Sequence, residues 1–302
     1  KHFYPGIRVV GVVFNFVASV AHYAYLQQAC VDAGVEALGY IPKDESIVIP
    51  SRHLGLSIDE TFCFDAFADR VAEVIDKTVN VDRLLELCTV EFSGEQTGGV
   101  ICSGNRKIAI ARDEAFNFMY RENVEALKRA GEVVFFSPLH DKRLPDADLV
   151  YFPGGYPELY LPELAANEGM RQAVRKYCET GGRVLAECGG MMYLCDTITS
   201  DDGKVYPMAG VLKQGATMEQ MKLKLGYREV RVNGQRIRGH EFHYSRILPG
   251  HEKIPVIGTI YNAKDMVVDT PVYTYKNVLA SYIHFYWGEC GIDHFLMLMS
   301  QK

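Results

Sequence analysis

A cysteine at the end of a short apolar segment is the strongest candidate for chemistry in this sequence. Cys188 follows the residues VLAE at 184–187 and precedes Gly189 and Gly190. A sharp turn from strand to helix at such a cysteine lifts the thiol clear of the sheet. The start of the helix also favours the thiolate, since its free N–H groups and dipole stabilise negative charge. The pattern predicts a cysteine nucleophile; the alternative is a buried cysteine before a glycine turn.

A second segment, LVYFPGGYPE at 149–158, is an apolar strand that ends in two glycines. Glycines after a strand allow backbone N–H groups to point at an anion, as the oxygen of a tetrahedral intermediate requires. We therefore predict Gly155 and Gly189 as oxyanion donors. An ordinary turn is the alternative for these glycines.

Histidines near the end of the chain are the candidates for a general base. His284 lies in ASYIHFYW at 280–287, among large apolar residues. Such a histidine acts as a base only if the cysteine is within hydrogen-bond distance, and is otherwise a core residue. His240 and His243 lie three apart in a β-like segment with no evident third ligand, so we predict a structural or substrate-lining role there and no metal site.

Alternating strands and helices must position these residues. The apolar run at 7–16 predicts a strand covered on both faces, followed by a helix at 21–33 that stops at Gly34 and a strand at 36–40. One or two helices are predicted between 57 and 88. These elements indicate a βαβ unit.

A second alternation begins near residue 107. Strands are predicted at 107–112, 132–137, 148–152, 183–187, 229–232, 255–261 and 278–283, and helices at 117–130, 170–180 and 288–299. The fold class is therefore α/β, three-layered, with mostly parallel sheets. The predicted organisation is a domain at 1–90, a polar linker at 91–105 and a domain at 106–302.

Composition narrows the class of protein. The chain has 302 residues with a formal charge of -6 and no basic block, so nucleic acid and anionic membranes are poor partners. Its 8 cysteines form no CxxC pair, which suits a reducing compartment. No apolar run reaches the ~18 residues of a membrane span. We expect a soluble, cytoplasmic protein.

Several longer segments together resemble the cobyrinic acid a,c-diamide synthase family. The resemblance is carried by GYIPKDESIVIPSRHLGL (39–56), IAIARDEAFNFMYRENVEALKRAGEVVFFSPL (108–139), YFPGGYPEL (151–159), AECGGMMYL (186–194), RGHEFHYSR (238–246) and ASYIHFYW (280–287). It implies a class I glutamine amidotransferase fold, flavodoxin-like, for 106–302. Cys188 would form a glutamyl thioester and release ammonia, with His284 as its base.

Three further residues are predicted to lie near this pair. Tyr156, Glu158 and His243 would line the glutamine or acceptor site. Many class I domains have a glutamate two residues after the histidine, where this chain has Tyr286. Another group must then orient the imidazole, and the sequence does not identify it.

The first 90 residues resemble the end of a P-loop synthetase domain related to dethiobiotin synthetase. Asn15 matches an asparagine that contacts adenine in that family. The phosphate-binding GxxxxGK[ST] motif does not occur in the sequence. We therefore expect a truncation of a longer enzyme that uses ATP and Mg²⁺, with no covalently bound cofactor, and glutaminase activity alone for this chain.

The implied reaction is glutamine-dependent amidation of the a and c carboxylates of cobyrinic acid. Glutamine and cobyrinic acid are the expected partners, and a homodimer is possible. Cobyric acid synthase and nickel-sirohydrochlorin diamide synthase are alternatives with the same architecture, although IPSRHLGL favours a diamide synthase. A third alternative is a non-catalytic partner that uses the fold as a scaffold.

Overall fold

The computed structural model describes residues 6–49, 51–52, 55–56, 62–91, 105–287, 292, 295 and 298–299. Contacts divide the chain into two units, Lys1–Thr97 and Gly98–Lys302. Most of the predicted linker and most of the predicted final helix lie outside the described residues, as do residues 50, 53 and 54 of the IPSRHLGL segment. No described helix is long and apolar enough to cross a bilayer.

The first unit contains the predicted βαβ arrangement. Its elements are β1 (Gly11–Val17), α1 (Val20–Ala33), β2 (Glu36–Pro42), β3 (Ser51–Arg52), β4 (Gly55–Leu56), α2 (Phe64–Thr78) and α3 (Val81–Cys88). β1 and β2 are parallel. The Ser19 side chain accepts the His22 N–H at the start of α1, and Gly34 ends the helix with a φ of 63°. These caps explain why the predicted helix bounds are nearly right.

The prediction that the first strand is covered on both faces is wrong for the described part of the unit. Strand β1 pairs only with β2 there. Of its seven residues only Val17 is buried, while Phe16 is 66% exposed. An apolar run can form a strand with little burial, because β-branched side chains are restricted at χ1 and this raises their preference for strands.

The second unit has more strands than the sequence predicts. In chain order they are β5 (Arg106–Ala111), β6 (Gly131–Phe136), β7 (Leu149–Phe152), β8 (Arg183–Glu187), β9 (Cys195–Thr199), β10 (Val205–Pro207), β11 (Leu212–Thr217), β12 (Lys224–Val232), β13 (Gln235–His243), β14 (Arg246–Leu248), β15 (Thr259–Asn262), β16 (Val272–Tyr275), β17 (Val278–Ser281) and β18 (Ile283–Phe285). Its helices are α4 (Arg121–Ala130), α5 (Leu161–Ala166), α6 (Glu168–Glu179) and α7 (Gly189–Leu194).

A central six-stranded sheet positions the candidate site. Its order is β16-β17-β8-β7-β5-β6, and every pair is parallel except β16 with β17. β7 and β8 are neighbours, with Phe152 paired to Ala186. Gly154 and Gly155, which follow β7, and Cys188, which follows β8, therefore lie at the same edge of the sheet, as is common for ligand sites in α/β folds.

Two smaller sheets complete this unit, one ordered β10-β9-β11-β14 and one β15-β12-β13-β18. The strand predicted at 278–283 is in fact two strands in different sheets, β17 in the central sheet and β18 beside β13. The break at Tyr282 carries the chain from one sheet to the other. His284 thereby pairs with His240 rather than continuing the central sheet.

Candidate functional site

Cys188 occupies a strained turn between β8 and α7. Its φ of 46° and ψ of −109° lie in a region that residues other than glycine rarely adopt, and such strain costs about 1–3 kcal/mol. The Cys188 N–H donates to the Ser281 carbonyl at 2.8 Å, and the Gly190 N–H donates to the Pro153 carbonyl at 3.1 Å. Bonds to both neighbouring strands therefore hold the turn in place.

The segments that carry Gly155 and Gly189 pack so closely that a side chain on either glycine would not fit. A Cβ on Gly189 would lie 2.7 Å from Pro157 Cδ and 2.8 Å from the Gly155 carbonyl oxygen. Gly155 has a φ of 152° and donates none of the backbone hydrogen bonds found among residues 105–287. The structure thus brings together the two predicted oxyanion donors, and their role stays a prediction.

His284 lies buried beside the same turn. Its ring stacks on His240 with centroids 4.8 Å apart and meets the edge of Phe118 at 4.6 Å. Burial, followed by the charges of His240 and His243, lowers its pKa to about 3. The imidazole is therefore neutral at physiological pH, as a proton acceptor must be.

Glu187, immediately before the cysteine, faces this histidine. Its Oε2 lies 4.0 Å from His284 Nδ1, which is buried and has no hydrogen-bond partner in the described residues. The Tyr151 hydroxyl donates to Oε2 at 2.8 Å, and the Phe285 N–H donates to Oε1 at 3.2 Å. Burial raises the Glu187 pKa to about 8. Glu187 is not among the site residues predicted from the sequence, although an acidic side chain at the end of a buried strand is a usable signal.

The Cys188 thiol is not stabilised as a thiolate, in contrast to the prediction from the sequence. Burial, followed by the charge of Glu158, raises the pKa of Cys188 well above its ordinary value, and the Gly189 N–H lowers it by less. The prediction of a favoured thiolate is wrong for this state of the protein, because the short helix contributes less than desolvation costs. The Sγ lies 3.9 Å from the Phe242 carbonyl, and no hydrogen bond within 105–287 joins it to His284.

Tyr156 and Glu158 follow Gly154 and Gly155 in the segment that packs against the start of α7. Burial raises the pKa of Tyr156, followed by the charges of Glu158 and Cys188. Glu158 Oε2 is buried without a hydrogen-bond partner among the described residues, and burial raises its pKa to about 7. Pro157, which lies between them, packs against the start of α7, since its Cδ would lie 2.7 Å from a Cβ on Gly189.

The other two histidines are held by polar partners. His243 Nε2 lies 2.9 Å from Glu241 Oε1 and Nδ1 lies 2.8 Å from the Ser245 carbonyl. His240 Nδ1 lies 2.5 Å from the Tyr120 hydroxyl. Within the described ranges, no group of three potential ligand residues is arranged to hold a metal.

Asn15, predicted to contact adenine, lies in the first unit. It is exposed on β1, and its Oδ1 accepts the Phe16 N–H at 2.9 Å. Its nucleotide-binding role stays a prediction.

Comparison with known proteins gives a family match and close relatives. The CobB/CobQ-like glutamine amidotransferase domain matches residues 107–290. The cobyrinate a,c-diamide synthase of Salmonella typhimurium is 34% identical over 305 residues, covering 96% of this chain and 66% of that protein. That of Caldanaerobacter subterraneus subsp. tengcongensis is 36% identical over 314 residues, covering 96% and 67%.

A third relative carries a different acceptor in its name. The hydrogenobyrinate a,c-diamide synthase of Pseudomonas aeruginosa is 36% identical over 287 residues, covering 94% of this chain and 65% of that protein. The chain therefore spans about two thirds of the length of the curated relatives it matches.

Proposed function

This chain belongs to the cobyrinate a,c-diamide synthase family and carries its glutamine amidotransferase domain, and we propose that Cys188 and His284 hydrolyse glutamine in that domain. The observation that carries the proposal is the strained turn at Cys188, packed against the Gly155 segment and adjoining Glu187, which in turn faces the imidazole. A nucleophile, two backbone donors and a neutral base are thereby within one small region.

The proposed reaction proceeds through a thioester. Cys188 Sγ attacks the side-chain amide carbon of glutamine while its proton passes to His284 Nε2. The Gly155 and Gly189 N–H groups stabilise the oxyanion that forms. Collapse breaks the C–N bond, and His284 returns the proton to the departing nitrogen as ammonia leaves. Water then attacks the thioester, with His284 again accepting the proton, and releases glutamate and the thiol.

Glu187 is the proposed positioning residue for His284. Because Nδ1 faces Glu187 at 4.0 Å, Nε2 is the nitrogen left for the thiol. This separation is about 1 Å too long for a hydrogen bond, and such contacts often shorten only when substrate binds. The ionised form of Glu187, which the raised pKa makes the minor form near neutral pH, would then stabilise the imidazolium formed during attack, since a buried positive charge needs a partner.

The names of the relatives support a wider reaction in which the ammonia amidates the a and c carboxylates of a corrin acid. The named relatives are a,c-diamide synthases of cobyrinate and hydrogenobyrinate, which favours this reaction over cobyric acid or nickel-sirohydrochlorin amidation. Activating a carboxylate requires ATP and Mg²⁺ held by a phosphate-binding loop. That motif is not among these 302 residues, so we propose glutamine hydrolysis as this chain's own share, in the cytoplasm.

Covalent labelling by a diazo-ketone analogue of glutamine tests the proposal. We expect an adduct on Cys188, located by peptide mass spectrometry, that is absent in Cys188→Ser and slowed by about 10²-fold or more in His284→Ala. Cys195→Ser is the matched control, because Cys195 is also a buried thiol of this unit and should not affect labelling. Labelling that ignores His284, or that occurs equally on other cysteines, would contradict the proposed pair.

A further inference from the structure

A buried carboxyl beside the nucleophile has no role in the reaction described above. Glu158 lies in a 3-10 turn, Pro157–Leu159, that follows the glycine segment. Its Oε2 is buried and accepts no hydrogen bond from any described residue. Buried carboxylate oxygens are almost always paired, because desolvation without a partner is costly. An unpaired one at a ligand site indicates a donor supplied by the ligand.

The turn is part of the wall around Cys188. Pro157 Cδ would lie 2.7 Å from a Cβ on Gly189, so the turn and the start of α7 are in contact. The charge of Glu158 also reaches the Cys188 thiol and the Tyr156 hydroxyl, since it raises the pKa of each. The turn that carries Glu158 therefore borders the start of α7 next to Cys188.

The group that fits this oxygen is a cation with N–H donors. Glutamine has one such group, its α-ammonium, about 5 Å from the amide carbon in the extended molecule. The α-carboxylate would be repelled by Glu158, whereas an ammonium donates up to three hydrogen bonds. We propose that Glu158 binds the α-ammonium of glutamine and so selects an α-amino acid as the amide donor; this rests on the proposed glutaminase function.

The same contact links substrate binding to reactivity. In the free protein the Glu158 carboxylate disfavours a thiolate at Cys188. A bound ammonium neutralises that charge, so the thiol ionises more readily once the correct substrate is present. The free enzyme is thereby protected from unselective alkylation.

Two diazo-ketone reagents that differ only in the α-amino group test the assignment. One is the glutamine analogue, 6-diazo-5-oxonorleucine, and the other is 6-diazo-5-oxohexanoic acid, which lacks the amino group. The second-order rate of adduct formation on Cys188 is measured by mass spectrometry for the whole chain, Glu158→Gln and Glu163→Gln. Glu163 is an exposed glutamate of α5 and serves as the matched control.

We expect Glu158→Gln to slow the amino reagent by about 10- to 100-fold, the range of a charge-assisted hydrogen bond, and not to slow the desamino reagent. Iodoacetamide, which carries no ammonium, should alkylate Cys188 faster in Glu158→Gln because the opposing charge is gone. Glu163→Gln should match the wild type throughout.

Other outcomes would overturn the assignment. Equal slowing of both reagents would mean that Glu158 shapes the turn rather than binding the ammonium. Unchanged rates with both reagents would mean that the ammonium binds elsewhere. If neither reagent labels Cys188 in the wild type while iodoacetamide does, the glutaminase proposal itself fails, and the role of Glu158 fails with it.

Discussion

Replacing Gly154 by alanine should displace the proposed base. A Cβ at this position would lie 2.2 Å from His284 Cε1 and 2.8 Å from Nδ1. Carbon atoms in contact are normally at least about 3.5 Å apart, so the ring must move by about 1.3 Å. The Gly154 backbone cannot yield easily, because its N–H and carbonyl are bonded to Phe118 at 3.1 and 3.0 Å.

A shift of this size is large for catalysis. Misplacing a reacting group by about 1 Å can lower the rate by about 10²-fold. We expect Gly154→Ala to label with the diazo-ketone glutamine analogue about 10²-fold more slowly than the wild type. Overpacking should also lower the free energy of unfolding by about 1–3 kcal/mol.

The assay combines labelling rates with thermal unfolding followed by circular dichroism. Gly169→Ala is the matched control, since the nearest atom to its Cβ is the Lys142 carbonyl oxygen at 3.4 Å. It should label at the wild-type rate. A folded Gly154→Ala protein that labels within about threefold of the wild type would refute the reasoning, because His284 would then either tolerate displacement or take no part.

Three further predictions concern buried charges of the same unit. Glu187→Gln should slow labelling by about 10- to 100-fold, less than loss of His284 does, because it removes orientation and keeps the base; an unchanged rate would exclude Glu187 as the positioning residue. Arg228→Met should lower the free energy of unfolding by about 3–5 kcal/mol in urea titrations, since Arg228 Nε lies 2.7 Å from the fully buried Glu241. The control, Lys107→Met, breaks an exposed ion pair and should lower the free energy of unfolding by less than about 1 kcal/mol. Burial pushes the pKa of Glu241 up, but hydrogen bonds from its neighbours outweigh this and lower it to about 2, and burial lowers the pKa of His284 to about 3. Both groups bind protons more readily in the unfolded chain, so the free energy of unfolding should fall as the pH is lowered from 4.5 to about 3. A flat stability profile over that range would contradict these assignments.

The local structure around the nucleophile follows from short-range sequence features. A buried apolar strand followed by Cys188, Gly189 and Gly190 predicts a strand, a tight turn and a helix, and the structure has all three. The reason is steric, because only glycine permits the close approach of the Gly155 segment to the start of α7. The parallel central sheet follows similarly, from apolar strands alternating with helices.

The surroundings of His284 depend on contacts distant in the chain. The sequence alone predicts one continuous strand through Tyr282, because both halves are apolar and β-prone. Pairing of β18 with β13 decides instead that the chain leaves the central sheet there. That change of sheet brings the imidazole over Glu187, which is 97 residues earlier, and buries both groups.

Burial then decides the chemistry of the site. The sequence determined which residue types are present, a thiol, an imidazole and carboxyls, and the local turn that carries the thiol. Only the tertiary structure decided that Cys188 and Glu187 are desolvated and that Glu158 Oε2 lacks a partner. Protonation depends on the solvent that each group loses and the charges it meets, and these come from segments that meet only in the folded chain.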